Sequence, residues 1–248
     1  MISKSLIKLI HALQKKKQRQ EQQLFLVEGH KSLFEFINNG YHASHVFVVQ
    51  ENAKLQSTLQ NHSMLSVKPN LVTAKEMARI SSLKQPTDCL GIFHIKNHAI
   101  EAADLKAKLC IGLDFIQDPG NLGSIIRTLD WYGIQTLYCS EDCVDVYNPK
   151  VVQATMGSLS RVKVIYTDLP RLKESFEKHH FLAATMDGLS VRKFQPEKPV
   201  FLMMGNEGNG VRETLRAVCD GALSVPAFGR AESLNVAIAT AILVDRLV

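Results

Sequence analysis

The sequence predicts an α/β protein with a parallel sheet in its C-terminal part and a smaller α/β unit ahead of it. Two observations predict this. From Leu109 onward, apolar runs at 109–116, 135–139, 162–166, 181–185, 200–204 and 222–225 alternate with helical stretches near 122–132, 150–159, 169–179, 211–219 and 233–247. Buried, β-rich runs separated by helices indicate a parallel sheet covered on both faces. Before residue 100 the elements are shorter and less regular. A chain of 248 residues with 46% hydrophobic content can bury a sizeable core in one large or two modest domains.

In chain order, Leu6, Ile7, Leu9, Ile10 and Leu13 follow helical spacing, which predicts one helix over 3–22 with an apolar stripe and a basic remainder. Leu24–Val27 reads as a strand turning out at Glu28-Gly29. His30–Asn39 reads as a helix stopped by Gly40, where a left-handed cap is favoured. His45–Gln50 is a second strand. Residues 51–70 are weakly patterned and punctuated by Lys68-Pro69-Asn70. A helix over Thr73–Ser82 and a strand over Cys89–Ile95 complete the small unit. The expected division is residues 1–98, a linker over 99–107, and 108–248. No internal repeat or low-complexity segment interrupts it.

Charge is distributed unevenly. The net charge is +5, from 29 basic and 24 acidic residues, and residues 1–23 hold Lys4, Lys8, Lys15, Lys16, Lys17 and Arg19 against Glu21. A basic end on a neutral body suits a polyanion such as RNA, and it equally suits a solvated helix face. Cys89, Cys110, Cys139, Cys143 and Cys219 form no C-x-x-C pair and no zinc pattern, so no metal is expected and reduced, cytoplasmic thiols are the plain reading. Lys8 and His11 break any signal-peptide core, and the longest apolar run, Val236–Val244, falls short of a membrane span.

Three C-terminal segments concentrate glycines and placed polar residues: Asp118-Pro119-Gly120-Asn121-Leu122-Gly123 continuing to Arg127, then Met204-Gly205-Asn206-Glu207-Gly208-Asn209-Gly210, then Val225-Pro226-Ala227-Phe228-Gly229-Arg230-Ala231-Glu232-Ser233-Leu234-Asn235-Val236. All three sit at the carboxyl ends of expected strands, where open parallel sheets bind ligands. Helix-start N–H groups there attract anions. Asn121 and Arg127, six residues apart, are read as facing one pocket mouth; a capping Asn and a surface Arg is the plainer alternative. The spacings exclude a G-x-G-x-x-G fingerprint and a phosphate-binding P-loop.

In this order the segments resemble the three signature motifs of the SpoU (TrmH-type) RNA ribose 2′-O-methyltransferases of the SPOUT class. Phe25-Leu26-Val27-Glu28-Gly29 and Gln85-Pro86 are similar, more weakly, to the family's substrate-binding domain. The resemblance implies a C-terminal SPOUT domain with a trefoil knot, S-adenosylmethionine as methyl donor, a homodimer, and methyl transfer to a ribose 2′-hydroxyl of RNA, ribosomal rather than transfer RNA. The 2′-hydroxyl target excludes DNA. It assigns catalysis to Arg127, Glu207, Ser233, Asn235 and Asn121. Cofactor binding falls to Met204, Gly205, Asn206, Gly208, Val225, Pro226, Leu234 and Asn235. Tyr147-Asn148-Pro149-Lys150 and Thr155-Met156-Gly157-Ser158 look similar to a region beside the target nucleotide, with Lys150 or Arg161 as phosphate contacts and solvated surface as the plainer reading. Competing functions are a catalytically idle RNA-binding or ribosome-assembly factor keeping the fold, and a methyltransferase acting on base or protein.

Overall fold

The computed structural model describes residues 2–206 and 208–248. The chain divides into two compact units: Met1–Lys96 with Asp145–Arg161, and Asn97–Val144 with Val162–Val248.

In the first unit, β1 (Leu24–Glu28), β2 (Ala43–Val49), β3 (Asn70–Val72) and β4 (Cys89–His94) form a sheet in the order β1-β4-β2-β3. β4 runs antiparallel to both neighbours and β2 parallel to β3. The expected helices stand at His30–Asn38, with Gly40 at φ +69°, and at Ala74–Ile80. The latter is closed by Thr73 and Glu76, whose side chains each accept from the other's backbone N–H. Two elements had no expectation: helix Ala53–Gln60, inside the weakly patterned stretch, and β3, which begins at its last residue. The helix buries only Leu55 and Leu59, too few to set a period, and β3 exposes two of its three residues.

The single helix expected over 3–22 is two, Lys4–Ala12 and Lys16–Gln22. The break returns Arg19 to the interior, 2% exposed, where it donates to Leu13 O at 2.9 Å and through Nε to Asp145 Oδ2 at 2.9 Å. Arg19 therefore leaves the solvent-facing basic run, which keeps its five lysines exposed.

Residues 145–161 pack with this unit although the sequence groups them with 108–248. Tyr147 lies against Phe25, ring centroids 4.5 Å apart, and its hydroxyl donates to Lys96 O at 3.0 Å. Asn39 Nδ2 donates to Ser160 Oγ at 3.0 Å. Arg161 is ion-paired with Glu35, whereas Lys150 is exposed.

The second unit holds β5 (Leu109–Leu113), β6 (Thr136–Cys139), β7 (Lys163–Tyr166), β8 (His180–Ser190), β9 (Val200–Met204) and β10 (Gly221–Ser224) in the order β10-β8-β9-β5-β6-β7. Every pairing is parallel. Phe181, Phe201, Tyr138 and Phe176 form its aromatic core. Residues 99–107 are no loose tether: Asp104 is buried and accepts from Thr136 Oγ1 at 2.6 Å, and Glu101 pairs with Lys163 at 2.8 Å. His179 lies buried against Phe176 and bonded to Ala107 O at 2.8 Å, while His180 opens β8.

Candidate active site

Buried β5 delivers the chain to Asp114, 1% exposed, and then to Phe115, held at φ +58°. Asp118 caps helix Pro119–Trp131 by accepting from Asn121 N at 2.8 Å, with Pro119 at the first helical position, where a missing N–H costs nothing. Asp118 thus takes the capping role that the plainer reading gave to Asn121. The Asn121 carboxamide instead accepts from Asn235 Nδ2 at 2.8 Å. Asn235 is itself the cap of helix Val236–Leu247, its Oδ1 accepting from Ala237 N at 3.0 Å and Ile238 N at 3.4 Å. Two helix starts 114 residues apart are thereby joined through one pair of side chains.

The second glycine segment closes on itself after β9, with Asn206 and Gly210 exchanging backbone hydrogen bonds at 2.8 and 3.2 Å. A Cβ on Gly205 would sit 2.0 Å from Gly210 C and 2.1 Å from Val211 N, so glycine is required there. Asn206 Nδ2 reaches Phe115 O at 3.2 Å and ties this loop to the chain just ahead of the first segment. Behind it, Arg212 donates to Asp114 through N at 2.8 Å and Nε at 2.7 Å, and to Asp142 Oδ2 at 2.7 Å. Burial opposes ionisation of Asp142, but the Ser140 hydroxyl and the Arg212 guanidinium outweigh it and hold its carboxyl below the usual range. Cys143 accepts from Ile116 N at 3.2 Å, and a hydrogen bond from Cys139 draws its thiol down to about 7 against the effect of burial.

These loops enclose a pocket of about 560 Å³ at the carboxyl ends of β8, β9 and β10. Its walls include Met204, Gly205, Asn206, Gly208, Val225, Pro226, Ser233 and Leu234. Seven of the expected cofactor residues therefore line one cavity, together with Ser233. Asn235 and Asn121 stand beside it, bonded to each other. Arg127 is exposed and outside this lining. At 100° per residue, six residues put it about 120° around the helix from Asn121, not on the same side. Glu207 lies outside the described residues.

One wall was not anticipated. β8 and β10 pair through Ala183↔Ala222 and resume at Leu189↔Leu223, so residues 184–188 bulge out of the ladder. Ala184, Thr185, Met186 and Asp187 line the pocket from this bulge, opposite Arg216. Asp187 pairs with Arg216 at 3.2 Å, and the nearby Thr185 hydroxyl and the Arg216 guanidinium lower its pKa. The signal was present as Thr185-Met186-Asp187-Gly188, a polar break at a strand's carboxyl end. Among the described residues, no group of three His, Cys, Asp or Glu gathers as a metal site.

An all-parallel sheet with a glycine-lined cavity at its carboxyl ends and two coupled helix starts defines an α/β protein that binds a small molecule beside a polar surface. The chain belongs to the SpoU rRNA methylase family, which matches residues 108–245, and residues 4–91 match the MRM3-like substrate binding domain. Among its relatives is the Bacillus subtilis 23S rRNA (guanosine(2553)-2′-O)-methyltransferase RlmP, 27% identical over 238 residues, with 95% of this chain and 92% of that protein covered. A solved putative RNA methyltransferase of the TrmH family from Porphyromonas gingivalis is 30% identical with a TM-score of 0.86, covering 100% of this chain and 98% of its own. An AdoMet-bound rRNA methyltransferase from Sinorhizobium meliloti superposes with a TM-score of 0.84 at 28% identity, covering 100% and 96%.

Proposed function

We propose that the protein transfers a methyl group from S-adenosylmethionine to a ribose 2′-hydroxyl of RNA, with ribosomal RNA as the substrate. The observation that carries this reading is the convergence of three distant segments, 118–127, 204–210 and 225–236, through the Asn206–Phe115 and Asn235–Asn121 bonds around one cavity.

The cavity suits the methyl donor. Its volume lies within the roughly 300–1,000 Å³ of small-molecule sites. Met204, Leu223, Val225 and Leu243 supply apolar walls, loop backbone approaches closely at Gly205, and Asp187 and Arg216 offer both charges to an amino-acid end. When bound, the donor supplies an electrophilic methyl group.

The chain's residues do the rest. The 2′-hydroxyl is a weak nucleophile that must be aligned and helped to lose its proton. Ser233, on the pocket wall, orients the ribose. Asn235 and Asn121 hold the two helix starts in place beside it. Arg127 acts by electrostatic orientation, or with Glu207 or an RNA phosphate as its partner.

Arg127 lies outside its own subunit's pocket lining, and a homodimer is part of this reading. Trp131, at 85% exposed, with Ile238 and Val248, leaves apolar surface on the two helices that carry Arg127 and Asn235. A trefoil knot is also part of this reading, and the return of the chain from β10 at the sheet edge to a helix packed on Pro119–Trp131 supports it. Five thiols, four of them buried, fit a reducing, cytoplasmic compartment. Among the described residues no helix is long and apolar enough to cross a membrane.

The test is incubation of the protein with labelled S-adenosylmethionine and total RNA from cells lacking it, followed by nucleoside analysis. A labelled 2′-O-methylnucleoside is expected. RNA bound without label would point to an idle binding factor, and label on a base or on protein would point to a different methyltransferase.

A further inference from the structure

Phe228 stands on the rim of the pocket with 82% of its surface exposed, in the segment between β10 and Ser233. A side chain of this kind ordinarily buries its ring, and one exposed at the entrance of a ligand pocket is placed to meet what enters it. Its neighbours indicate what that partner is. The Arg192 guanidinium lies over the ring, 5.1 Å from its centroid, and Arg192, Lys193 and Arg230 are all exposed, against Glu232 in the same loop.

We infer that Phe228, with Arg192 stacked on it, is a platform for an unstacked RNA base next to the ribose being methylated. This rests on the proposed function, and adds a recognition residue that the three signature segments do not assign. An exposed aromatic flanked by arginine and lysine matches single-stranded RNA in both chemistries at once: the ring takes a base face, and the cations take the phosphates on either side. A protein partner would favour the ring but not the surrounding excess of positive charge. Reaching a 2′-hydroxyl inside a cavity also requires the target nucleotide to leave its neighbours, and a ring at the rim offsets the stacking that the nucleotide loses. Ring stacking discriminates little among bases, so Phe228 contributes to binding and placement more than to base identity.

The experiment uses the full-length protein, labelled S-adenosylmethionine and large-subunit ribosomal RNA transcribed in vitro, hence unmethylated. For Phe228→Ala, KM for the transcript is expected to rise roughly tenfold, while cofactor affinity stays within about twofold. Phe228→Tyr and Phe228→Trp should restore most of the loss. In Phe228→Trp the introduced indole should be quenched by the transcript well beyond the change in the wild-type protein, whose one tryptophan is Trp131. Arg192→Gln should raise KM and reduce the salt dependence of binding by about the value of one phosphate.

An unchanged KM in Phe228→Ala overturns the inference. So does a parallel loss of cofactor affinity, which would make Phe228 a cover over the cofactor, or a change in sedimentation, which would make it a subunit contact. If the wild-type protein leaves the transcript unmethylated, the proposed function fails separately, and quenching of the indole by the same RNA still decides the stacking.

Discussion

Helix starts in the first unit are closed by side chains that take no part in lining the cavity: Ser3 accepts from Leu6 N, Asn52 accepts from Leu55 N and donates to Asp88, and Thr73 pairs reciprocally with Glu76. In the second unit Asn235 does the same for Ala237 and Ile238, but its amide also reaches Asn121 at the start of another helix. A cap of the first kind contributes stability. A cap of the second kind also aligns two helix starts beside one cavity, so removing it perturbs function as well as folding. Charges divide along a similar line. Arg19 and the five lysines ahead of β1 look alike in sequence, yet one is a buried structural partner and five face water.

The largest effect that tests this contrast is on the site. Arg127→Ala should lower kcat by about a hundredfold or more while leaving cofactor affinity unchanged, because it removes charge organisation and not a pocket wall. Single-turnover methylation beside calorimetric titration with S-adenosylmethionine measures both, and an equal loss of cofactor binding would refute the assigned role.

Next in size is Arg19→Leu. It leaves Asp145 without its buried guanidinium and should cost about 3 kcal/mol in denaturant unfolding. Lys16→Ala, one exposed residue of the same run, should stay within about 0.5 kcal/mol. Similar losses for the two would dissolve the distinction between them.

The caps give a smaller and sharper comparison. Asn235→Ala and Thr73→Ala should each destabilise by about 1 kcal/mol. Only Asn235→Ala should also depress methyl transfer at saturating cofactor, and equal activity in the two variants would reduce Asn235 to an ordinary cap.

The triple change Lys15→Gln, Lys16→Gln, Lys17→Gln should leave stability intact and lower the salt slope of RNA binding, by roughly 0.7–0.9 for each phosphate no longer neutralised. An unaltered slope would make that face a solubilising one.

Smallest is a pH effect. Burial lowers the pKa of His179, against a weaker opposing hydrogen bond to Ala107. The unfolded chain therefore binds its proton first, so the contribution to stability is present above the ordinary histidine value near 6.5 and is lost as pH falls through it. Thermal unfolding between pH 7.5 and 5.5 should show that decline, and His179→Gln should flatten it.

The strands of the second unit were legible because both their faces are covered, which writes them as uninterrupted apolar runs: five of the six, β5–β7, β9 and β10, stand close to where those runs lie. β8 continues past its run to Ser190, since residues 184–188 leave the ladder and have no buried face to record them. β3 and helix Ala53–Gln60 were hidden for a related reason, as so few of their residues touch the core. In the site, Gly205, Val225, Pro226 and Leu234 were legible through the resemblance of their segments to the family's motifs. Asp187 left only the polar break Thr185-Met186-Asp187-Gly188 as a trace, and its pairing with Arg216 across 29 positions left none.

By itself the amino-acid order determined the period of the well-buried elements, the turns that end the strands, and the polar residues set on those turns, because these follow from backbone sterics and from burial within a few neighbours. Tertiary structure alone decided that Arg19 turns inward to Asp145, that residues 145–161 pack with the first unit, and that Asn121 meets Asn235. Each depends on which distant group arrives to satisfy a buried charge or amide, and no local pattern encodes the partner.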